Sequence, residues 1–121
     1  MSDSTLTITG SLGRDPELRF TNGGRALCSL TVAVSHRFKK DDEWQEETSW
    51  VDVTVWGDLA ENVAASCVKG TRVTCVGRIK QEEWTDKETG AKRTKLGLSA
   101  DEVAVSLRWA RAEVERIERD R

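Results

Sequence analysis

A small all-β barrel is predicted by three observations: period-two alternation of apolar and polar residues in five separate runs, turn signals between those runs, and glycines inside them. The chain has 121 residues, enough for one domain and a real core. The first run is Thr5 to Leu12, where Leu6 and Ile8 alternate with threonines. A short Leu18–Phe20 segment follows, and then a turn at Thr21-Asn22-Gly23-Gly24. The second run, Ala26 to Phe38, sets Leu30, Val32 and Val34 on one face. A charged loop, Lys39 to Glu43, leads to the third run, from about Glu47 to Gly57. The fourth, Thr71 to Trp84, aligns Val73, Cys75 and Ile79. A hairpin tip from Thr85 to Lys92, with Gly90 suited to positive φ, precedes the fifth and weaker run, Lys92 to Leu107.

One internal helix is predicted over Leu59 to Val68, with Asp58 as its cap, Glu61 completing a capping box, and Gly70 ending it. Glycines at Gly10, Gly77 and Gly97 mark bulges or sharp bends of the kind a small barrel needs to close. Five strands with a helix between the third and fourth describe an OB-fold, a partly open Greek-key barrel. The domain is read as residues 1–107. Residues 108–121 are read as a charged amphipathic extension, because Leu107, Ala110, Val114 and Ile117 fall at helical spacing with Arg111–Glu115 and Glu115–Arg119 pairs. A helix this short is marginal alone, so it must dock, pair with another subunit or fray.

Composition narrows the function classes. Net charge is −2, so any polyanion must be held by a local patch. Cys28, Cys67 and Cys75 lack CxxC spacing and read as buried thiols in a reducing cytoplasm. No apolar run approaches the length of a membrane span. The only histidine, His36, ends the second strand and reads as structural or solvent-facing; Asp41, Asp42 and Glu43 read as a solvated loop, and no phosphate-binding glycine loop is present. Neither an enzyme, a cofactor nor a metal is expected.

The informative feature is the stretch TSWVDVTVWG, Thr48 to Gly57. Its odd positions, Val51, Val53 and Val55, form a core face, whereas its even positions carry Trp50, Asp52, Thr54 and Trp56. Trp84 is in phase with Arg78 and Lys80, and Phe38 adjoins Arg37, Lys39 and Lys40. Outward aromatics among cations suit unpaired bases, whose π-faces stack on the rings while Lys and Arg follow the phosphates. The competing interpretation places these rings under loops or in a subunit interface, where Trp is enriched. Trp44 fits either, and Trp109 reads as an anchor for the C-terminal segment.

These residues carry a family resemblance. ITGSLGRDPELRF (Ile8 to Phe20), the NGG turn, SLTVAVS (Ser29 to Ser35), ETSWVDVTVWGDLAENVA (Glu47 to Ala64), KGTRVTCVGRI (Lys69 to Ile79) and EEWTDKETGAKRT (Glu83 to Thr94) together resemble bacterial single-stranded DNA-binding proteins of the homotetrameric OB-fold type. The ending EVAVSLRWA is closest to actinobacterial members. The resemblance implies base stacking on Phe38, Trp50, Trp56 and Trp84. It implies phosphate contacts from Arg19, Lys69 and Lys80, with Lys39, Arg72, Arg78, Lys92 and Arg93, and with Lys95 as a neighbour. It also implies a cytoplasmic, nucleoid-associated homotetramer in DNA replication, recombination or repair; the threonine-rich first strand, unpaired on one side, is the expected dimer edge.

Two departures stand out. Asp52, Asp58, Glu82 and Glu83 replace residues commonly basic in the family, so stacking is expected to carry more of the affinity. The sequence ends at ERIERDR without a linker and acidic tip, so recruitment of repair proteins through such a tail is not expected. The runner-up is an OB-fold protein-interaction module, a primosome-type accessory with weak incidental nucleic-acid binding.

Overall fold

The computed structural model describes residues 3–118. Six strands and one helix follow in the order β1 (Leu6–Leu12), β2 (Glu17–Phe20), β3 (Ala26–Lys40), β4 (Glu43–Trp56), α1 (Gly57–Ser66), β5 (Arg72–Thr85) and β6 (Lys92–Val105). The sheet order is β1-β5-β6-β4-β3-β2, and a second β1–β3 pairing closes β1, β5, β6, β4 and β3 into a barrel. This is the predicted OB-fold arrangement. β2, only four residues long, lines the outer edge of β3 from Glu17↔Ser29 to Phe20↔Ala26; its exposed side chains leave no burial alternation to mark it in the sequence.

Two seams are narrow. β1 meets β3 only at Ser11↔Ala33 and Leu12↔Val32, and β4 meets β6, in parallel, only at Val53↔Leu98 and Thr54↔Ser99. By contrast β3 and β4 are paired continuously from Leu27↔Trp56 to Lys40↔Glu43. Leu6 to Gly10 of β1 pair with β5 alone, which leaves their other edge open. The core gathers Leu12, Leu30, Val32, Val53, Val55, Val73, Leu98 and the thiols Cys28, Cys67 and Cys75, with Ala60 and Val63 of α1 as its cap. All three thiols are free, and burial raises the pKa of each.

Beyond the barrel, the β3–β4 and β5–β6 ribbons project as arms. Residues 43–50 are all exposed. Ile79, aligned with Val73 and Cys75 as predicted, is nonetheless 50% exposed, although its ladder partner Leu98 is buried in the core. The charged loop expected from Lys39 to Glu43 contracts to a two-residue turn, with Asp41 and Asp42 at φ of 52° and 61°. Paired positive φ values are those of a type I′ hairpin, and Asp tolerates them better than most residues. Gly77 sits at the register shift between Val76 and Gly77, where a Cβ would strike the Ser99 carbonyl.

Two local expectations need correction. Gly57, at φ 71°, swings the chain from β4 into α1, so Asp58 falls in the first helical turn and no side chain caps the helix. Asp58 still favours the helix by lying near its positive end. The amphipathic helix expected beyond Leu107 is not formed: 107–118 have no regular structure, and Arg119 to Arg121 lie outside the described residues. Leu107, Val114 and Ile117 have no apolar surface beneath them and are 64%, 93% and 56% exposed, which leaves a short helix without the packing that would stabilise it. Trp109 instead has the guanidinium groups of Arg72 and Arg108 over its ring, 4.8 and 5.2 Å from the centroid.

Candidate nucleic-acid interface

Strand register builds one continuous outer face. Residues directly opposite in a ladder share a face. From β2 through β3 to β4 the pairs are Arg19↔Leu27, Leu27↔Trp56, Thr31↔Asp52 and Ala33↔Trp50. Thr54↔Ser99 carries the face into β6. Arg78↔Ser99, Lys80↔Gly97, Glu82↔Lys95 and Trp84↔Arg93 carry it across β5. Trp50, Trp56 and Trp84 therefore share a surface with Arg19, Arg78, Lys80, Arg93 and Lys95, while Val51, Val53 and Val55 point to the core side.

The three indoles differ in setting. Trp50 is 63% exposed, with the edge of its six-membered ring against Gly13, where a Cβ would collide with it. The contact is at the Cζ3 edge of the ring, and most of the indole stays exposed. Gly13 is itself fixed by donating to the Thr31 carbonyl at 2.9 Å. Trp56 is half-buried, with Arg25 4.4 Å from its ring centroid and Lys80 at 6.0 Å. Trp84 is 47% exposed near the end of the second arm. A cleft of about 320 Å³ runs beside Trp56 and is lined by Arg14, Arg19, Ser29, Asp52, Thr54, Lys80, Glu82 and Lys95 among others. Gly97 lets β6 approach β4 closely, since a Cβ there would stand 3.0 Å from the Asp52 carbonyl oxygen.

Asp52, the departure noted in the sequence, does not face the cleft alone. Its Oδ2 is ion-paired with Lys95 Nζ, and the Thr31 hydroxyl donates to its Oδ1 at 3.5 Å. One carboxylate from β4 thus occupies one cation from β6. On the second arm, Arg93 is 3.5 Å from Asp86, whose Oδ1 also accepts from the backbone N–H of Glu88 at 2.9 Å.

Other predicted residues lie elsewhere. Phe38 pairs with Gln45, on the opposite ribbon face from Trp44, Trp50 and Trp56, and its ring is 5.8 Å from His36. Lys39 pairs with Trp44 near the arm tip. Lys92 opposes Thr85, on the other side of the ribbon from Arg93 and Trp84. Arg72 is drawn to the far end of β5, where it donates to the Ser106 hydroxyl at 2.8 Å and covers Trp109. Lys69 follows α1; its backbone N–H donates to Asp15 at 2.8 Å, and Gly70 donates to Leu12, tying this loop to the turn beneath Trp50. Arg14 and Arg25 were missed by sequence reasoning. Both sit in irregular segments, where period-two parity assigns no face.

With this geometry in place, relatives can be compared. Residues 3–106 match the family described as Single-strand binding protein family. The chain belongs to this family. It is 44% identical over 121 residues to the single-stranded DNA-binding protein of Paenarthrobacter aurescens, covering 98% of this chain and 70% of that one. Against the single-stranded DNA-binding protein of Mycobacterium leprae it is 42% identical over 120 residues, covering 97% and 71%. The protein of the same name from Corynebacterium glutamicum is 39% identical over 122 residues, covering 98% and 54%. The sequence reading of an actinobacterial-like member of this family agrees with these matches. Among the described residues, no helix is long and apolar enough to cross a membrane.

Proposed function

We propose that this chain binds and coats single-stranded DNA without regard to sequence, holding bases on Trp50, Trp56 and Trp84 and phosphates on the cations between them. Membership of the family supports the activity. The observation that carries the mechanism is the single register-defined face joining three tryptophans to Arg19, Arg78, Lys80, Arg93 and Lys95 across five strands. An open indole face binds any base, because every base has a π-face, and duplex DNA has none to offer. Phe38 and Lys39, on the first arm, extend the path if the strand wraps around that ribbon. Lys69 flanks Trp50 through the Gly13 turn, and Lys92 and Arg72 serve the outer reaches. The interaction-module alternative is not favoured.

The working form is a cytoplasmic, nucleoid-associated homotetramer serving replication, recombination or repair. The open edge of β1 from Leu6 to Gly10 offers backbone donors and acceptors for pairing with a second copy. The test is a tryptophan-fluorescence titration with oligo(dT) at several salt concentrations, with Trp50→Ala and Trp84→Ala beside the parent. Strong quenching, weaker in both variants, is the expected result. Absence of quenching at low salt refutes the proposal.

A further inference from the structure

Trp44 is outside the set of aromatics assigned above, yet it lies on the same face of β4 as Trp50 and Trp56. The three are spaced by six residues, so all have the same parity. At ~3.4 Å per residue, each interval is about 20 Å along the strand. Trp44 is 63% exposed, as much as Trp50. Arg37 stands 5.3 Å from its ring centroid, and Lys39 is its partner across the ladder.

Charge on this arm is sorted by face. The hairpin carries more acid than base overall, with Asp41 and Asp42 at the turn. Register places Glu43 opposite Lys40 and Glu47 opposite His36, on the face that holds Phe38. The tryptophan face keeps Arg37 and Lys39 against Glu46 alone. A bare indole beside two cations repeats, at the tip, the pattern around Trp56. Burial offers no competing role, because residues 43–50 have no core beneath them.

We infer that Trp44 is a further base-stacking residue, with Arg37 and Lys39 as its phosphate contacts, and that it extends the single-strand path along the β3–β4 arm beyond Trp50. The inference rests on the single-strand binding proposed above. Because the site is two such intervals along the strand from Trp56, it engages only strands long enough to reach it.

The experiment is fluorescence anisotropy of labelled oligo(dT) in a series of lengths, with the parent, Trp44→Ala and Trp44→Phe. Parent and Trp44→Ala should bind the shortest oligomers equally. Above a threshold length Trp44→Ala should bind at least about fivefold more weakly, while Trp44→Phe, which keeps a π-face, should recover most of the loss. Equal binding at every length overturns the inference. So does an equal loss at every length, or a change in the sedimentation mass of the free Trp44→Ala protein, which would make Trp44 an interface residue. A parent that binds no oligomer refutes the underlying function instead.

Discussion

Replacing Asp52 by Asn should strengthen binding to single strands, and the structure sets the size of the gain. Asp52 and Lys95 side chains are 38% and 44% exposed. Ion pairs this open to solvent contribute about 0.2–1 kcal/mol. A phosphate that takes Lys95 must first displace the carboxylate, so relieving that competition improves affinity up to about fivefold, since ~1.4 kcal/mol is a factor of ten. Lys95 then becomes a full phosphate contact, and the slope of log K against log salt steepens by about 0.7. Between about 50 and 200 mM salt the variant should therefore lose roughly 2.6-fold more affinity than the parent. Oligo(dT) titrations across that range read both quantities. Adding Lys95→Met to Asp52→Asn supplies the control: the gain should vanish in the double variant. A gain that survives there reflects general charge alone and refutes the reasoning, as does an Asp52→Asn protein with unchanged affinity and slope.

Two further outcomes are expected. Gly13→Ala places a Cβ against the Trp50 indole; the exposed ring moves at little cost to stability, and affinity for oligo(dT) should fall about three- to tenfold, toward the Trp50→Ala value. Burial pushes the Cys75 thiol up from 9.0 to about 11. The unfolded thiol ionises first, so its contribution to stability is complete below pH 9 and lost as pH rises toward 11, at most about 2.7 kcal/mol. Urea denaturation of the parent and Cys75→Ala between those pH values should show a shallower alkaline decline in the variant.

The outward position of Trp50 and Trp56 was legible from parity alone, because one face of that strand is entirely valine. Trp84 was legible for the same reason, through its phase with Arg78 and Lys80. Parity also held for Phe38, had it been applied: residue 38 is in step with Val32 and Val34, so it belongs to the other face, and proximity to cations was the weaker guide. The helix predicted after Leu107 followed spacing that is present, but amphipathic spacing needs a surface to bury against, and a single chain supplies none. Arg25 over Trp56 depends on how the turn before β3 folds back, a tertiary relation without a period to reveal it. The Asp52–Lys95 pair joins residues 43 positions apart across a parallel seam, which no local pattern encodes.

That seam has a mechanical consequence. The barrel is in effect two stiff ribbons buttoned together, and between β4 and β6 the buttons are two rungs, Val53↔Leu98 and Thr54↔Ser99. The Asp52–Lys95 pair is a third fastening just beyond them. On the proposed path, a strand of DNA running from Trp56 to Trp84 would cross this join, gripping one ribbon by an indole and the other by its cations. Bound nucleic acid would then act as a strap over the gap: the same contacts that hold the ligand would also hold the protein shut, and removing Asp52 would exchange an internal fastening for one supplied by the cargo.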